Sequence, residues 1–478
     1  MSIQLPHIVI LGAGPAGLGA AYRLASEKLA RVTVLEQSGS VGGNAASFEL
    51  DGLHLDYGSH RLHSSCDQHI LDDIKSLLGD DLLIRPRHGR IRLQERWIHF
   101  PLKPADLVLK MNPAFSIGVF GDLIRKMVKG NSKPAGDDER FSTVLLGQLG
   151  PTICEGFYFP YSRKIWGLDP DSISGIQAKR RVSGNSVGKI LRKVLSTLHK
   201  GKENNKNYFY YPRYGFGQIS GSLYEAAAES GAEILFRSKV TDIHTKDGEV
   251  GSVTYERDSA AHNIHADYVW STIPITVLTR ALRPGAPDEV LASASRVRFR
   301  SMILVYLVLE QDMFTEYDAH YFPEADIPIT RLSEPKNYSD TRSPDGVTAL
   351  CAELPCSTAD DYWGMSGEEL GEVVLNSLKT AGIPVTSKVL HVEARRLASA
   401  YPIYDIGYEK HFESMDNYIE GVGNLLTFGR QGLFAHDNTH HALYMAYAAV
   451  DCLDDKGSFD LNKWLGYRKI FESHVVED

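Results

Sequence analysis

Apolar positions along the chain follow two periods. Residues 7–11 (HIVIL) form a strand-length apolar run, followed by closely spaced glycines and an alanine-rich stretch, PAGLGAAYRLA. This pattern predicts a strand, a tight turn and a helix, then a second strand that ends at Glu36. Residues 141–198 carry helical patterns. Strand-like alternation returns at 232–243, 249–257 and 267–273, and again at 298–309 and 348–354. Residues 366–381 (SGEELGEVVLNSLKTA) read as an amphipathic helix, 424–429 as a last short strand, and 438–452 as a helix. The stretches 129–140 (KGNSKPAGDDER) and 199–207 (HKGKENNKN) are polar and rich in breakers, which predicts surface loops. No internal repeat or low-complexity tract interrupts the pattern.

Length then sets the scale. With 478 residues, 43% of them hydrophobic, the chain exceeds one ordinary core and predicts two or three interleaved domains. The net charge of −9 offers no basic surface for nucleic acid. Five cysteines, an odd number with no C-x-x-C, argue against a disulfide framework or a zinc site and fit reduced cytoplasmic thiols. The first strand begins at residue 7, which leaves no room for a signal peptide. The longest apolar run, 302–309, is far short of a membrane span.

The first candidate chemistry is Gly12-x-Gly14-x-x-Gly17, with Pro15 and Ala16 inside the turn. Gly12 permits the turn, Gly14 admits a pyrophosphate against the backbone, and Gly17 lets helix and strand pack closely. The helix N-terminus then offers unpaired N–H groups to the anion. Glu36 lies 19 residues after Gly17, where an acidic residue holds ribose hydroxyls. Six residues further on, Gly42-Gly43-Asn44 adds a second glycine pair just past the ribose acid. Together these motifs favour FAD over NAD.

Several further segments carry a resemblance. LDYGSHRLHSS (55–65), GRIRLQERWIHFPLK (89–103), FPYSRKIWG (159–167) with KRRV (179–182), and YFYYPRYGFGQI (208–219) resemble segments of UDP-galactopyranose mutases. So do HYFPEADIPITRLSEPKNYS (320–339), AYPIY (400–404) and LTFGRQGLF (426–434). Those enzymes belong to the amine-oxidase/protoporphyrinogen-oxidase-like FAD superfamily, and the likeness runs from residue 8 to about 450. It implies an α/β architecture: a Rossmann-type FAD-binding domain in three pieces (1–100, 201–275 and 396–478, the last with a C-terminal tail). A helical substrate subdomain (101–200) and an inserted mixed-sheet substrate domain (276–395) complete it.

The resemblance also implies roles. Reduced flavin N5 acts as a nucleophile toward a nucleotide sugar, and the departing diphosphate needs fixed positive charge, which arginine supplies in a planar fork. Arg181 and Arg331 are the two phosphate arginines, with Arg180 an equally placed substitute for Arg181. His60 sits near the flavin. Trp166 belongs to the family's Trp segment, and Tyr401 matches a tyrosine that bonds the diphosphate. Phe100 and Tyr321 are candidates for stacking on a base, and equally candidates for core aromatics. Val240, Gly429 and Arg430 join the cofactor contacts. Asn438 and Thr439 start a helix whose positive end faces the flavin. The family has a phosphate-binding tyrosine after the Gly-Arg pair; here the position is His436, a departure that puts UDP-galactose itself in doubt. His436 and His440 have helical metal spacing, with His441 adjacent, but the helix start at 437–439 is the stronger reading and no metal is expected. Nicotinamide has no domain of its own and would reduce the flavin by transient binding. Two function classes stay open: a redox-neutral mutase acting on a small-molecule nucleotide sugar, and an oxidoreductase acting on an amine, porphyrinogen, polyene or sugar.

Overall fold

The computed structural model describes residues 5–101, 106, 109–129, 139–181 and 208–476, with the side chains of 123, 127–129 and 181 excepted. The expected loops at 129–140 and 199–207 fall outside these residues, apart from 129, 139 and 140, and so does 182–198.

The strand His7–Leu11 is buried at every position. Such a run needs cover on both faces, and a parallel sheet with helices on each side provides it. The sheet has five parallel strands in the order Glu233–Leu235, Arg31–Leu35, His7–Leu11, Tyr268–Ser271 and Leu425–Thr427. On one face the helix Pro15–Ser26 packs between Thr439–Asp451 and Gln218–Glu229. On the other, Ile275, Leu278, Met415 and Ile419 close a second core over Val9 and Leu11. The chain is therefore an α/β protein of the expected class.

The expected strand at 232–243 is two strands. Glu233–Leu235 joins the parallel sheet, and Lys239–Lys246 joins a separate four-stranded sheet. Between them Arg237 takes a left-handed conformation (φ 52°), and Arg237 and Ser238 donate their backbone N–H groups to the carbonyls of Ser38 and Glu36. The polar run Arg237-Ser238-Lys239 breaks the alternation at this step, so a single strand over 232–243 overruns a break that the sequence carries.

A seven-stranded sheet runs in the order Val389–Ile403, Arg298–Leu309, Thr348–Cys356, Arg331–Ser333, Ala319–Tyr321, Gly89–Leu93 and Arg96–Phe100. Its register sets Tyr321 opposite Arg331, and Arg331 opposite Glu353. Residues directly opposite in antiparallel strands share a face. Three chain-distant side chains thus form a row. A small helical core of Phe141, Leu145, Trp166 and Ala178 lies beyond.

His320, on the same short strand as Tyr321, is fully buried against Trp97 and Tyr317. Loss of solvent, and then Arg90, push its pKa down to about 3. In the unfolded chain the ring titrates near about 6.5. The native form thus excludes a proton that the unfolded chain binds. The penalty is absent above about pH 6.5 and grows as pH falls toward 3. His320→Gln is expected to flatten the loss of urea-midpoint stability between about pH 7 and pH 5. An unchanged slope would remove His320 from the acid-sensitivity account.

Candidate active site

Loops at the carboxyl ends of the parallel strands converge, as ligand sites in open α/β sheets do. They line a cavity of about 540 Å³, within the usual range for small-molecule sites. Gly12, Gly14, Pro15 and Ala16 form one wall, with Glu36, Gly43 and Asn44 beside them. Gly429, Arg430, Asn438 and Thr439 come in from the C-terminal segment.

Local geometry explains the glycines. A Cβ on Gly17 would lie 2.0 Å from the Gly12 carbonyl oxygen, so the helix can approach the turn only without a side chain there. Gly42 has φ 104°, and its N–H donates to the Ala13 carbonyl at 2.8 Å, which ties the second glycine pair to the first turn. Gly17 and Gly42 therefore support the wall without lining it. Gly14 differs: a Cβ there would meet no atom within 4 Å, so this backbone faces open space.

These features fit FAD. The helix N-terminus at Gly14 presents backbone to an anion with no side chain in the way. The buried Glu36 carboxylate takes the N–H groups of Ala13 at 2.8 Å and Ser38 at 2.7 Å, which fixes it at the cavity wall, where it would hold a ribose. Gln431 Oε1 is buried at the wall without a hydrogen-bond partner among the described residues. Asn438 caps the helix Thr439–Asp451 in extended conformation (φ −80°), with a capping box to His441. Arg430 donates to the Ala400 carbonyl at 2.9 Å and lies 5.0 Å over the Tyr401 ring. Val240 stands apart: it packs against the second core and does not line the cavity. Glu36→Ala removes one carboxylate from both turn and ribose. FAD affinity is expected to fall about 10–100-fold in apoprotein titrations followed by flavin fluorescence. Unchanged affinity would take Glu36 out of the cofactor site.

The substrate end is built on the row of strands. Arg331 Nε donates to Glu353 Oε1 at 2.9 Å, and its Nη2 is 2.7 Å from the same oxygen. The backbone N–H of Ser59 donates to that oxygen too, at 3.0 Å, so Glu353 joins the glycine–histidine loop to Arg331. Burial opposes the Arg331 charge, but Glu353, Tyr321 and Tyr401 more than offset it and raise the guanidinium pKa. His60 Nε2–H donates to the Tyr57 carbonyl at 2.9 Å, and the ring stacks on Phe216. Burial is the largest influence on its pKa and lowers it, which favours the neutral ring. The buried Tyr321 hydroxyl has no hydrogen-bond partner among the described residues. His60, Tyr321, Arg331, Tyr401 and His436 all line the cavity.

Other candidates lie behind this wall. Trp166 packs edge-on against Tyr401 and His436, and the latter two stack at 5.0 Å. Phe100 rests against Tyr321 at 4.9 Å rather than on the cavity. Arg180 is half-buried, and its Nη1 donates to the Tyr404 hydroxyl at 3.2 Å, away from the lining. Arg181 ends the helix Gly175–Arg181, and its side chain lies outside the described residues. Two residues unforeseen from the sequence join the wall. Glu353 is the single charge in the buried strand TALCAELPC, a signal the sequence did carry. Arg61 is half-buried beside His60, with Nη2 3.3 Å from Asp318 and 3.2 Å from the Tyr338 hydroxyl.

The parallel sheet, the glycine turn with its acid, and the cavity between them define an FAD-dependent flavoenzyme. The family model described as flavin containing amine oxidoreductase matches residues 15–434, and the chain belongs to that family. It is 21% identical over 457 residues to "Protoporphyrinogen oxidase 2, chloroplastic/mitochondrial" of Arabidopsis thaliana, covering 86% of each chain. It is 23% identical over 399 residues to an L-amino-acid oxidase of Sistrurus catenatus edwardsii, covering 78% of this chain and 70% of that one. Among solved structures it resembles reduced UDP-galactopyranose mutase, with a TM-score of 0.78 and 21% identity over 93% of both chains. No described helix is long and apolar enough to cross a membrane.

Proposed function

We propose that the chain is a redox-neutral mutase acting on a nucleotide sugar, with Arg331 holding the diphosphate as it departs. The observation that carries this reading is the Arg331 guanidinium, half-buried, charge-stabilised by Glu353 and opening on the cavity. Arg61, Arg87, Arg396 and Arg430 line the same cavity, which suits an anionic substrate and disfavours a simple cationic amine. Bound reduced FAD would supply the nucleophile. The chain's own groups do the rest. Arg331 binds phosphate oxygens, Tyr321 and Tyr401 offer hydroxyls beside it, and neutral His60 holds the loop that carries Ser59. His436 stands where relatives of the mutase type carry a phosphate-binding tyrosine; its stack on Tyr401 keeps it at the wall. Arg181 is a second candidate for the diphosphate, and NAD(P)H for transient reduction of the flavin. The cytoplasm fits an enzyme kept reduced.

A second reading, an oxidase or dehydrogenase, draws on the oxidases among the sequence relatives. Two paired assays separate them, one under nitrogen and one in air. Protein reduced with dithionite under nitrogen and given UDP-galactose is expected to form a furanose product without net flavin oxidation. Substrate-dependent oxygen uptake by the oxidised enzyme, with no isomerised sugar, would overturn the mutase reading.

A further inference from the structure

A second constellation lies behind the cavity wall. Asp437 precedes the helix Thr439–Asp451, His441 lies in its first turn, and His474 returns after the helix Leu461–Phe471. One ligand atom from each lies within 4.8 Å of the other two. Asp437 Oδ2 is 3.4 Å from His474 Nδ1, and Oδ1 is 3.8 Å from His441 Nδ1. The two imidazoles stack with centroids 4.3 Å apart.

The His474 contact is a long hydrogen bond and the His441 contact lies beyond one; both exceed the about 2.7–2.9 Å of a charge-assisted hydrogen bond. They approach the roughly 3.3 Å between neighbouring donors on a tetrahedral cation with bonds of about 2.0–2.1 Å. A second observation points the same way. The Asp437 side chain is wholly buried, and its Oδ1 has no hydrogen-bond partner among the described residues. A buried carboxylate oxygen left unpaired is unfavourable, and a cation would satisfy it. One carboxylate with two imidazoles suits zinc; magnesium and calcium prefer all-oxygen shells. The spacing that suggested a metal in the sequence, His436 with His440, is not the one that converges. His436 precedes the helix and faces Trp166 and Tyr401.

We propose that Asp437, His441 and His474 bind a zinc-type divalent cation, with the remaining position open to water. The cation would clamp the C-terminal stretch to the start of the helix. That stretch already reaches the cavity: the Val476 N–H donates to the Arg180 carbonyl at 2.8 Å, and Asp437 and Val476 both line the wall. Two features temper affinity. Arg180 acts on Asp437 electrostatically, and ligation through His441 Nδ1 displaces a 3.3 Å contact from the Asn438 N–H.

The test uses untagged, flavin-loaded full-length protein, stripped with EDTA, dialysed and titrated with zinc chloride by calorimetry. One equivalent is expected to bind and to raise the melting temperature. His474→Ala, whose metal-free melting temperature reads the loss of packing against Tyr444 and Phe471, is expected to weaken binding at least about tenfold and abolish the thermal shift. Asp437→Asn should do the same, with flavin content checked by absorbance. Absence of stoichiometric binding to the wild type, or binding that survives His474→Ala unchanged, overturns the site.

Discussion

A chain carrying Gly17→Ala is expected to purify without its flavin and to melt at a lower temperature than the wild-type apoprotein. The added Cβ would sit 2.0 Å from the Gly12 carbonyl oxygen and 3.2 Å from its carbon. Both are backbone atoms, so no rotamer relieves the clash. The helix must withdraw from the turn. Forced overpacking of this kind costs about 1–3 kcal/mol, and here the displaced element carries the N–H groups meant for a pyrophosphate. Gly14→Ala is the matched control. Gly14 has φ −76°, an alanine-compatible value, and open space where the Cβ would go. Its apoprotein is expected to melt like the wild type and to bind FAD at least about tenfold more weakly, because the methyl enters the space meant for the cofactor. The ratio of flavin to protein absorbance, with calorimetric melting of both apoproteins, reads the two effects separately. Wild-type FAD affinity in Gly14→Ala would mean that no cofactor approaches that backbone, and the cradle would need to be placed elsewhere.

What could be read in advance depended on how far apart the cooperating residues lie along the chain. Gly12, Gly14, Gly17 and Glu36 fall within one strand–helix–strand unit, so their spacing alone announced the turn. The second glycine pair was legible too, although its reason, the Gly42 N–H bond to the Ala13 carbonyl, was not. Glu353 illustrates the other case. Its partner Arg331 is 22 residues away, and they meet only because two antiparallel strands align in that register. A charge inside TALCAELPC was a visible anomaly, but nothing in the sequence said which cation answers it. Arg180 and Arg181 were interchangeable as letters. In the fold, the Arg180 side chain turns to the Tyr404 hydroxyl, a contact that the sequence does not announce. Asp437 and His441 lie one helical turn apart, whereas His474 follows 33 residues later. The helical spacing drew attention to His436 with His440 instead, and periodicity is blind to His474.

Arg331→Ala is expected to lower turnover of a nucleotide sugar about 100–1,000-fold, the loss typical when a fixed donor to developing negative charge is removed. That result alone would be ambiguous, since the substitution also leaves Glu353 as a buried carboxylate without its cation. Breaking one side of a buried pair destabilises by about 3–5 kcal/mol, and a poorly folded enzyme is also a slow one. The pair must therefore be removed together. Arg331→Met with Glu353→Gln retains volume and removes both charges, and such replacements are often neutral for stability. The N–H of Ser59 still finds an amide oxygen in the glutamine, so the histidine loop keeps its anchor. The double variant is expected to recover most of the melting temperature lost by Arg331→Ala while staying about 100-fold or more below wild type in turnover. Arg331→Lys completes the set: it keeps a point charge but loses the planar fork, so part of the activity should return. If the double variant turns over a nucleotide sugar at close to the wild-type rate, Arg331 is a structural ion pair. The leaving diphosphate would then have to be held by another arginine of the wall, such as Arg61, whose half-buried guanidinium lies beside His60 and opens on the same cavity.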